Sequence, residues 1–187
     1  MATNIVLDTI QNRRSIRKFQ PSPVDWDKMK TVLNAGRWAP SFMNTQPCKF
    51  IVVTKPDVKR QVIEALHMPF LGLVYKGQLP YTDLLEAPAI IVVCADTGKD
   101  KLHYVEDAAC ATQNMALAAH SVGLATYWVG IFNHTYVEDA VKKALKVPES
   151  VRVISLLPIG VPAESPKKER EPLENMLYYD AFENKTL

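Results

Sequence analysis

The stretch "PAIIVVCA", residues 88–95, carries the clearest strand pattern in the chain. Its β-branched side chains follow one another with no polar interruption, which is typical of a buried strand. The stretch begins with a proline and is followed by polar residues, so both ends of the strand are marked in the sequence. The stretch therefore predicts a buried strand in the core of the protein.

Segments on both sides of this strand predict a chain in which strands and helices follow one another. Three more strands are predicted, at residues 47–54, 124–130 and 151–160. Helical spacing of apolar residues predicts helices at residues 5–11, 25–35, 57–67, 102–122 and 137–145. Asp25 is a suitable N-cap for the second helix, and Gly36 is predicted to end it. The long helix at 102–122 carries alanines on several faces, which predicts a place in the core or at a subunit interface.

Composition limits the classes of function. The chain has 187 residues, of which 48% are hydrophobic, and this suits one globular domain. Lys and Arg number 22 and acidic residues 20, so no nucleic acid or acidic membrane is expected as partner. The longest apolar run, residues 87–95, is about half a membrane span. We therefore expect a cytoplasmic protein.

The cysteines and histidines predict neither a disulfide nor a metal site. Cys48, Cys94 and Cys110 are odd in number and have no CxxC spacing, so they are interpreted as small buried hydrophobic residues in a reducing compartment. The four histidines form no HExxH motif or other close ligand pair. A catalytic metal is therefore not expected.

The segment "RRSIRKF", residues 13–19, concentrates positive charge in a nearly neutral chain. If the segment is extended, Arg13, Ser15 and Arg17 point to one side and suit a phosphate monoester. Lys168 and Arg170 alternate in the same way within a second group, "KKER" at 167–170, and the two groups could meet over one phosphate. The alternative is a solvated helix end, whose cations favour the helix dipole.

The segment "WAPSFMNTQPCKFIVV", residues 38–53, contains a polar loop between Pro40 and Pro47. Ser41, Asn44 and Gln46 lie in this loop, and amide side chains donate and accept hydrogen bonds at once, which suits the edge of a heterocycle. An ordinary connection between a helix and a strand remains the alternative.

Four segments together resemble the FMN-dependent nitroreductase family: "RRSIRKF", "APSFMNTQPCKF", "DAACATQNMALAAHSVGLATYWVG" and "KKER". They cover almost the whole chain in the family's order. The resemblance implies an α+β fold, in which a mixed, mainly antiparallel sheet is wrapped by helices, and an intertwined homodimer with two FMN sites at the subunit interface. It implies one FMN-binding domain over residues 1–187, whose C-terminal extension, residues 163–187, packs on the partner subunit.

The resemblance also implies roles for single residues. Arg13 and Ser15 would bind the FMN phosphate together with Lys168 and Arg170. Arg17 would lie near the N1 and O2 edge of the flavin and raise its reduction potential. Residues around the ring would include three from the other subunit, and a backbone N–H near position 130 would be available to flavin N5. The candidate cofactor-binding residues are Arg13, Arg14, Ser15, Arg17, Pro40, Ser41, Asn44, Gly130, Ile131, Lys168 and Arg170.

The implied activity is an NAD(P)H-dependent oxidoreductase that reduces nitroaromatics, quinones or similar small electron-poor acceptors by ping-pong hydride transfer. No catalytic side chain is implied, because the flavin carries the chemistry. Consistent with one shared site, the sequence has no GxGxxG or P-loop motif for a separate dinucleotide. The alternatives are another flavin reaction on this fold, such as reductive dehalogenation or flavin breakdown, and a non-catalytic flavin-binding protein.

Two segments depart from the family pattern. Cys48 stands where relatives usually have an aromatic residue. Residues 67–85 match nothing closely, and their aromatic residues Phe70, Tyr75 and Tyr81 are interpreted as a lid over the flavin, with a satellite cluster as the alternative. We expect the choice of substrate to depend on this segment.

Overall fold

The computed structural model describes residues 4–66, 82–131 and 135–186, and within them an α+β fold. The segment interpreted as a lid lies almost wholly outside the described residues, as do Phe70, Tyr75 and Tyr81. The helices are α1 (Ile5–Asn12), α2 (Trp26–Arg37), α3 (Pro56–Ala65), α4 (Tyr104–Ser121), α5 (Thr135–Leu145) and α6 (Leu173–Met176). The strands are β1 (Cys48–Val53), β2 (Ala89–Asp96), β3 (Ala125–Thr126), β4 (Val129–Gly130) and β5 (Val151–Gly160).

The sheet is built around the pairing of β2 with β5. Its strand order is β1-β2-β5-β3, and β4 also pairs with β5. Every ladder between these strands is antiparallel, and a parallel bridge joins Ser15 to Thr126. The predicted α+β class with a mainly antiparallel sheet is therefore confirmed.

Strand β2 is buried on both faces, as its sequence predicted. Ile90 and Val92 belong to one hydrophobic cluster, and Ile91 and Val93 to the cluster on the opposite face. Helices α3 and α5 contribute to the first cluster, and helices α2 and α4 to the second. Since side chains alternate along a strand, a run of apolar residues needs a helix layer on each side of the sheet.

The prediction that Gly36 ends helix α2 is wrong. The helix continues through Gly36 to Arg37, and the predicted N-cap Asp25 accepts from the N–H groups of Asp27 and Lys28. A Cβ atom at Gly36 would lie 2.8 Å from Cγ of Met115 in α4. The glycine therefore allows helices α2 and α4 to approach closely. In sequence, a glycine with this role cannot be distinguished from one that ends a helix.

The predicted strand at 124–130 and the predicted burial of the cysteines need correction. Two short strands, β3 and β4, replace the single strand, because Tyr127 and Trp128 separate two short pairings with β5. Cys94 is buried, and burial raises the pKa of its thiol to about 12. Cys48 is half-buried, with its pKa raised to about 11 by the same cause, whereas Cys110 is exposed on α4.

Among the helices that the structure describes, none has both the length and the apolar character needed to cross a bilayer. Within residues 4–66, 82–131 and 135–186, no group of three or more His, Cys, Asp or Glu side chains is arranged to hold a metal ion.

We predict that Gly160→Ala destabilises the flavin-free protein by about 1–3 kcal/mol, because overpacking of a filled core has this cost. A Cβ atom there would lie 2.7 Å from Cδ of Pro88 and 2.9 Å from Cδ1 of Phe19. Thermal unfolding measures the effect. Gly130→Ala is the matched control in another strand, since its Cβ would meet nothing within 4 Å. Equal melting temperatures for the two variants would contradict this account of the packing.

Candidate cofactor site

The basic segment at 13–19 is extended, as the alternation of its residues required. Helix α1 ends at Asn12, and bridges join Ser15 to Thr126 and Phe19 to Pro162. Ile16 is buried with a 6% exposed fraction, while Arg17 is exposed. The segment therefore presents Ile16 and Phe19 to the core, while its polar residues stay at least partly exposed.

The structure brings the two basic groups together at one cavity of about 560 Å³. Six of the ten lining residues are Lys or Arg, and two are Glu. The lining residues are Arg13, Arg14, Ser15, Arg17, Lys18, Glu86, Glu164, Pro166, Lys168 and Arg170. Residues more than 150 positions apart in sequence thus form a single cationic surface.

Charges of like sign are close together in this cavity. The pKa of Arg13 is lowered first by burial and then by the positive charges of Arg170 and Arg14. Such crowding is unfavourable on its own, and a bound anion converts it into attraction. The electrostatics therefore favour a multiply charged anion such as a phosphate.

Glu164 fastens the segment after β5 to the basic segment. Its Oε1 accepts from the backbone N–H of Arg17 at 2.6 Å and from that of Lys18 at 3.1 Å. These donors lower the pKa of the Glu164 carboxyl. The backbone N–H of Ala163 also donates to the carbonyl of Lys18, at 2.9 Å. The carboxylate thus orders the backbone between the two basic groups.

Arg14 and Arg17 are held in different ways. The Nη1 group of Arg14 donates to the carbonyls of Gln11 and Arg13, which close the end of α1, and its Nε is buried with no acceptor in the described parts of the chain. The guanidinium carbon of Arg17 lies 5.2 Å from the ring centroid of Tyr127, a cation–π contact. Arg17 is therefore an exposed cation whose position is restrained by an aromatic ring.

Gly130 and Ile131 differ in whether their backbone N–H is free to bind a cofactor. The N–H of Ile131 donates to the carbonyl of Ile154 at 3.0 Å, so it is already used. Gly130 is paired with Ser155, one position along the same antiparallel ladder. Because hydrogen-bonded pairs alternate with non-bonded pairs in such a ladder, the N–H of Gly130 points away from β5. Of the two predicted residues, only Gly130 presents its N–H outward.

The loop at 40–46 lies apart from the basic cavity within one chain. Pro40 and Ser41 line a separate cavity of about 200 Å³. Met43, Asn44 and Gln46 have φ values of 44°, 58° and 50°, in the left-handed region that side chains disfavour. Strain of this kind persists only where the surrounding contacts impose it, and it is concentrated at functional sites.

Contacts inside and behind the loop hold this strained backbone. The N–H of Gln46 donates to Oγ of Ser41 at 2.9 Å, and its Nε2 donates to Oδ1 of Asn44 at 3.0 Å. The N–H of Phe42 donates to Oδ1 of Asp107 at 3.0 Å. No local pattern marks Asp107, because its partner Phe42 is 65 residues away in the chain.

We predict that Glu164→Ala lowers stability by about 1 kcal/mol at neutral pH, since two backbone donors lose a partly exposed charged acceptor. Because the folded-state pKa of Glu164 is lowered, its contribution is present above the unfolded pKa and is lost as pH falls through the folded value. Melting curves at several pH values should therefore converge in acid. Glu169→Ala, at an exposed carboxylate nearby, is the control, and a pH-independent difference for Glu164→Ala would contradict the prediction.

The model of the nitroreductase family matches residues 10–161. A protein of Methanothermobacter thermautotrophicus, named as a candidate NADH dehydrogenase/NAD(P)H nitroreductase, is 34% identical over 86% of this chain and 79% of its own.

Two solved structures are similar over nearly their full length. One is an FMN-dependent nitroreductase of Clostridium difficile R20291, with a TM-score of 0.81, 26% identity, and coverage of 94% of this chain and 99% of that one. The other is a nitroreductase with bound FMN from Bacteroides fragilis NCTC 9343, with a TM-score of 0.73, 27% identity, and coverage of 91% and 95%. These matches confirm the resemblance seen in the sequence: the chain belongs to the nitroreductase family.

Proposed function

We propose that this protein is an FMN-dependent oxidoreductase that uses NAD(P)H to reduce nitroaromatics, quinones or similar small electron-poor acceptors. The observation that carries the proposal is the single cavity at which both basic groups meet. The family match and the FMN-containing relatives support the choice of FMN as the anion.

The residues at the cavity fit the phosphate of this cofactor. Arg13 and Arg170 repel each other in its absence, and a phosphate between them would offset that repulsion by attracting both guanidinium groups. Ser15 and Lys168 line the same cavity and supply a hydroxyl and an ammonium donor. We assign these four residues to the phosphate, and we assign Arg14 to the end of α1, from which its guanidinium reaches the cavity wall.

Other residues suit the ring end of the cofactor. Gly130 presents an outward N–H, and a Cβ added there would meet no protein atom within 4 Å, so internal packing does not require the glycine. Pro40, Ser41 and Asn44 line no part of the basic cavity in one chain, so we assign them to the cofactor of a second chain. The proposed site therefore combines residues of two subunits.

When bound, FMN supplies the two-electron chemistry that links NAD(P)H to the acceptor. We assign Arg17, whose guanidinium is restrained by Tyr127, to the N1 and O2 edge of the flavin, where its positive charge would favour the reduced state. The N–H of Gly130 offers a fixed donor that needs no reorganisation. The sequence has no GxGxxG or P-loop motif that would bind a dinucleotide at a separate site. Both substrates would therefore use the same open face of the flavin in turn, and we expect ping-pong kinetics.

Exposed apolar side chains support a homodimer, and we propose, as the sequence led us to expect, that its chains are single-domain and cytoplasmic. On α1, Ile5 and Val6 have exposed fractions of 77% and 65%, and the helix has no buried residue. In the segment 163–186, Leu173 and Phe182 are 67% and 79% exposed. Surfaces of this kind are rarely left open to water, so we propose that α1 and the C-terminal extension pack on the partner subunit.

The experiment that tests the function is an anaerobic spectral titration. We expect purified protein, incubated with FMN if necessary, to show flavin absorbance that NADH or NADPH bleaches and an electron acceptor restores. A protein that stays colourless after incubation with FMN would overturn the proposal. A coloured protein that neither nucleotide bleaches would favour a non-catalytic flavoprotein, while dehalogenation of a halogenated substrate or consumption of FMN would favour the rival reactions on this fold.

We predict different effects for two arginines of the basic segment. Arg13→Ala should raise the dissociation constant of FMN about 10- to 100-fold, as loss of charged hydrogen bonds does. Arg17→Ala should also make the flavin reduction potential more negative, and Arg17→Lys should restore part of the shift. Fluorescence titration and spectroelectrochemistry measure the two effects. Lys167→Ala, an exposed cation that does not line the cavity, is the control, and equal losses of affinity with unchanged potentials would contradict the assignment.

A further inference from the structure

Two aspartates, Asp100 and Asp107, meet behind the strained loop at 40–46. Both are buried, with exposed fractions of 6% and 5%. Oδ1 of Asp100 accepts from the N–H groups of Leu102 and His103, where α4 begins, and Oδ1 of Asp107 accepts from the N–H of Phe42 in the loop. Each aspartate thus uses one oxygen to hold a backbone segment.

The second oxygens of the two aspartates point to a shared proton. Oδ2 of Asp100 and Oδ2 of Asp107 are both buried, and neither has a donor among the residues described. The charge of Asp100 raises the pKa of Asp107, so the two carboxyls lie close enough to interact. Two carboxylates cannot satisfy each other when both are ionised, but one shared proton makes a donor and an acceptor of the pair. A carboxylic acid beside a carboxylate is therefore the arrangement that satisfies both oxygens.

We propose that Asp107 is a positioning residue: by sharing one proton with Asp100, it fixes the Phe42 N–H and so holds the loop that carries Pro40, Ser41 and Asn44 towards the cofactor. The pair joins the start of α4 to a loop with three left-handed residues. The link to FMN rests on the proposed function, whereas the hold on the loop does not.

The charges around the pair place the proton on Asp107. Burial raises the pKa of Asp107, and the charges of Asp100 and Glu106 raise it further, while the Phe42 N–H and His103 lower it. Backbone donation from His103, and then from Leu102, lowers the pKa of Asp100. From β1, the thiol of Cys48 faces Asp107, whose charge raises the pKa of that thiol.

These directions give the loop contact a defined pH range. The proton on Asp107 contributes stability below the ordinary aspartate pKa, and this contribution is lost as pH rises through the raised value. The charge on Asp100 contributes stability above the ordinary pKa, and this is lost as pH falls through the lowered value. Between the two values the pair keeps its shared proton. At higher pH a charged Asp107 is a better acceptor for the Phe42 N–H, but burial and the charge of Asp100 together oppose that charge more strongly, so the pair separates and the loop loosens.

The test compares Asp107→Asn with Asp107→Leu. An asparagine amide donates to Asp100 without a titrating proton while its oxygen still accepts from Phe42, whereas leucine can do neither. The first measurement is hydrogen exchange at residues 38–47 in the flavin-free protein, corrected for intrinsic rate, from about pH 4.5 to about pH 9. The second is the dissociation constant of FMN over the same range. Glu106→Gln removes a neighbouring charge that is 68% exposed and serves as the matched control.

We expect the unmodified protein to lose protection in this segment as pH rises, Asp107→Asn to keep it at every pH, and Asp107→Leu to lack it throughout. Weakening of FMN binding by about tenfold or more should follow the loss of protection. Glu106→Gln should keep this pH-dependent loss of protection but move it to slightly lower pH, because the charge of Glu106 raises the pKa of Asp107. Equal protection in Asp107→Leu and the unmodified protein, or an unchanged pH dependence in Asp107→Asn, would overturn the proposal. Normal exchange results without any FMN binding would instead count against the proposed function alone.

Discussion

The antiparallel pairing of β2 with β5 is the interaction on which the rest of the structure depends. Strand β5 pairs with β2 along one edge and with β3 and β4 along the other. Its continuation at 161–163 pairs with the basic segment through Gln20 and Lys18. Because these contacts are backbone hydrogen bonds, the register of β5 places residues 161–163 beside the basic segment, and the second basic group follows a few residues along the chain. The outward N–H of Gly130 follows from the same register.

This arrangement concentrates positive charge at the basic cavity, and the chain's own carboxylates there do not neutralise it. Six cations and two carboxylates line the cavity, and one of those carboxylates, Glu164, is engaged with backbone N–H groups. A globular protein of net charge +2 has no general need for such a site. Cations that are held close together repel one another, and a matching anion offsets this repulsion when it binds. For this reason preorganised cationic sites bind phosphate groups well.

Much of the fold could be predicted from sequence, since the relevant signals are local. The strand at 151–160 has the predicted bounds, and Asp25 caps α2 as expected, because both depend on neighbouring residues. Gly36 was misread for a physical reason: a glycine that ends a helix and one that admits Met115 of another helix look alike in one dimension. Cys110 was misread as buried because periodicity does not give the absolute orientation of a helix.

In the candidate site, too, local sequence patterns are informative, whereas contacts across the fold cannot be predicted from them. Arg13, Ser15 and Arg17 line one cavity, but Arg14 and Lys18 line it too, so the local pattern of alternation does not by itself select the residues of the site. The role of Asp107 was beyond reach, because it depends on a contact with Phe42 across the fold and on a proton that no sequence displays.

The separation of the two residue sets has a thermodynamic consequence under the proposed function. The basic cavity and the loop at 40–46 do not share lining residues within one chain, so a complete site needs two chains. The exposed apolar residues of α1 and of the C-terminal extension provide area that a second chain can cover, at about 25 cal/mol for each Å² removed from water. A cofactor that contacts both chains binds the pair more tightly than either chain alone. By linkage it must also hold the pair together, so cofactor occupancy and assembly are one equilibrium and loosening of the loop would weaken both.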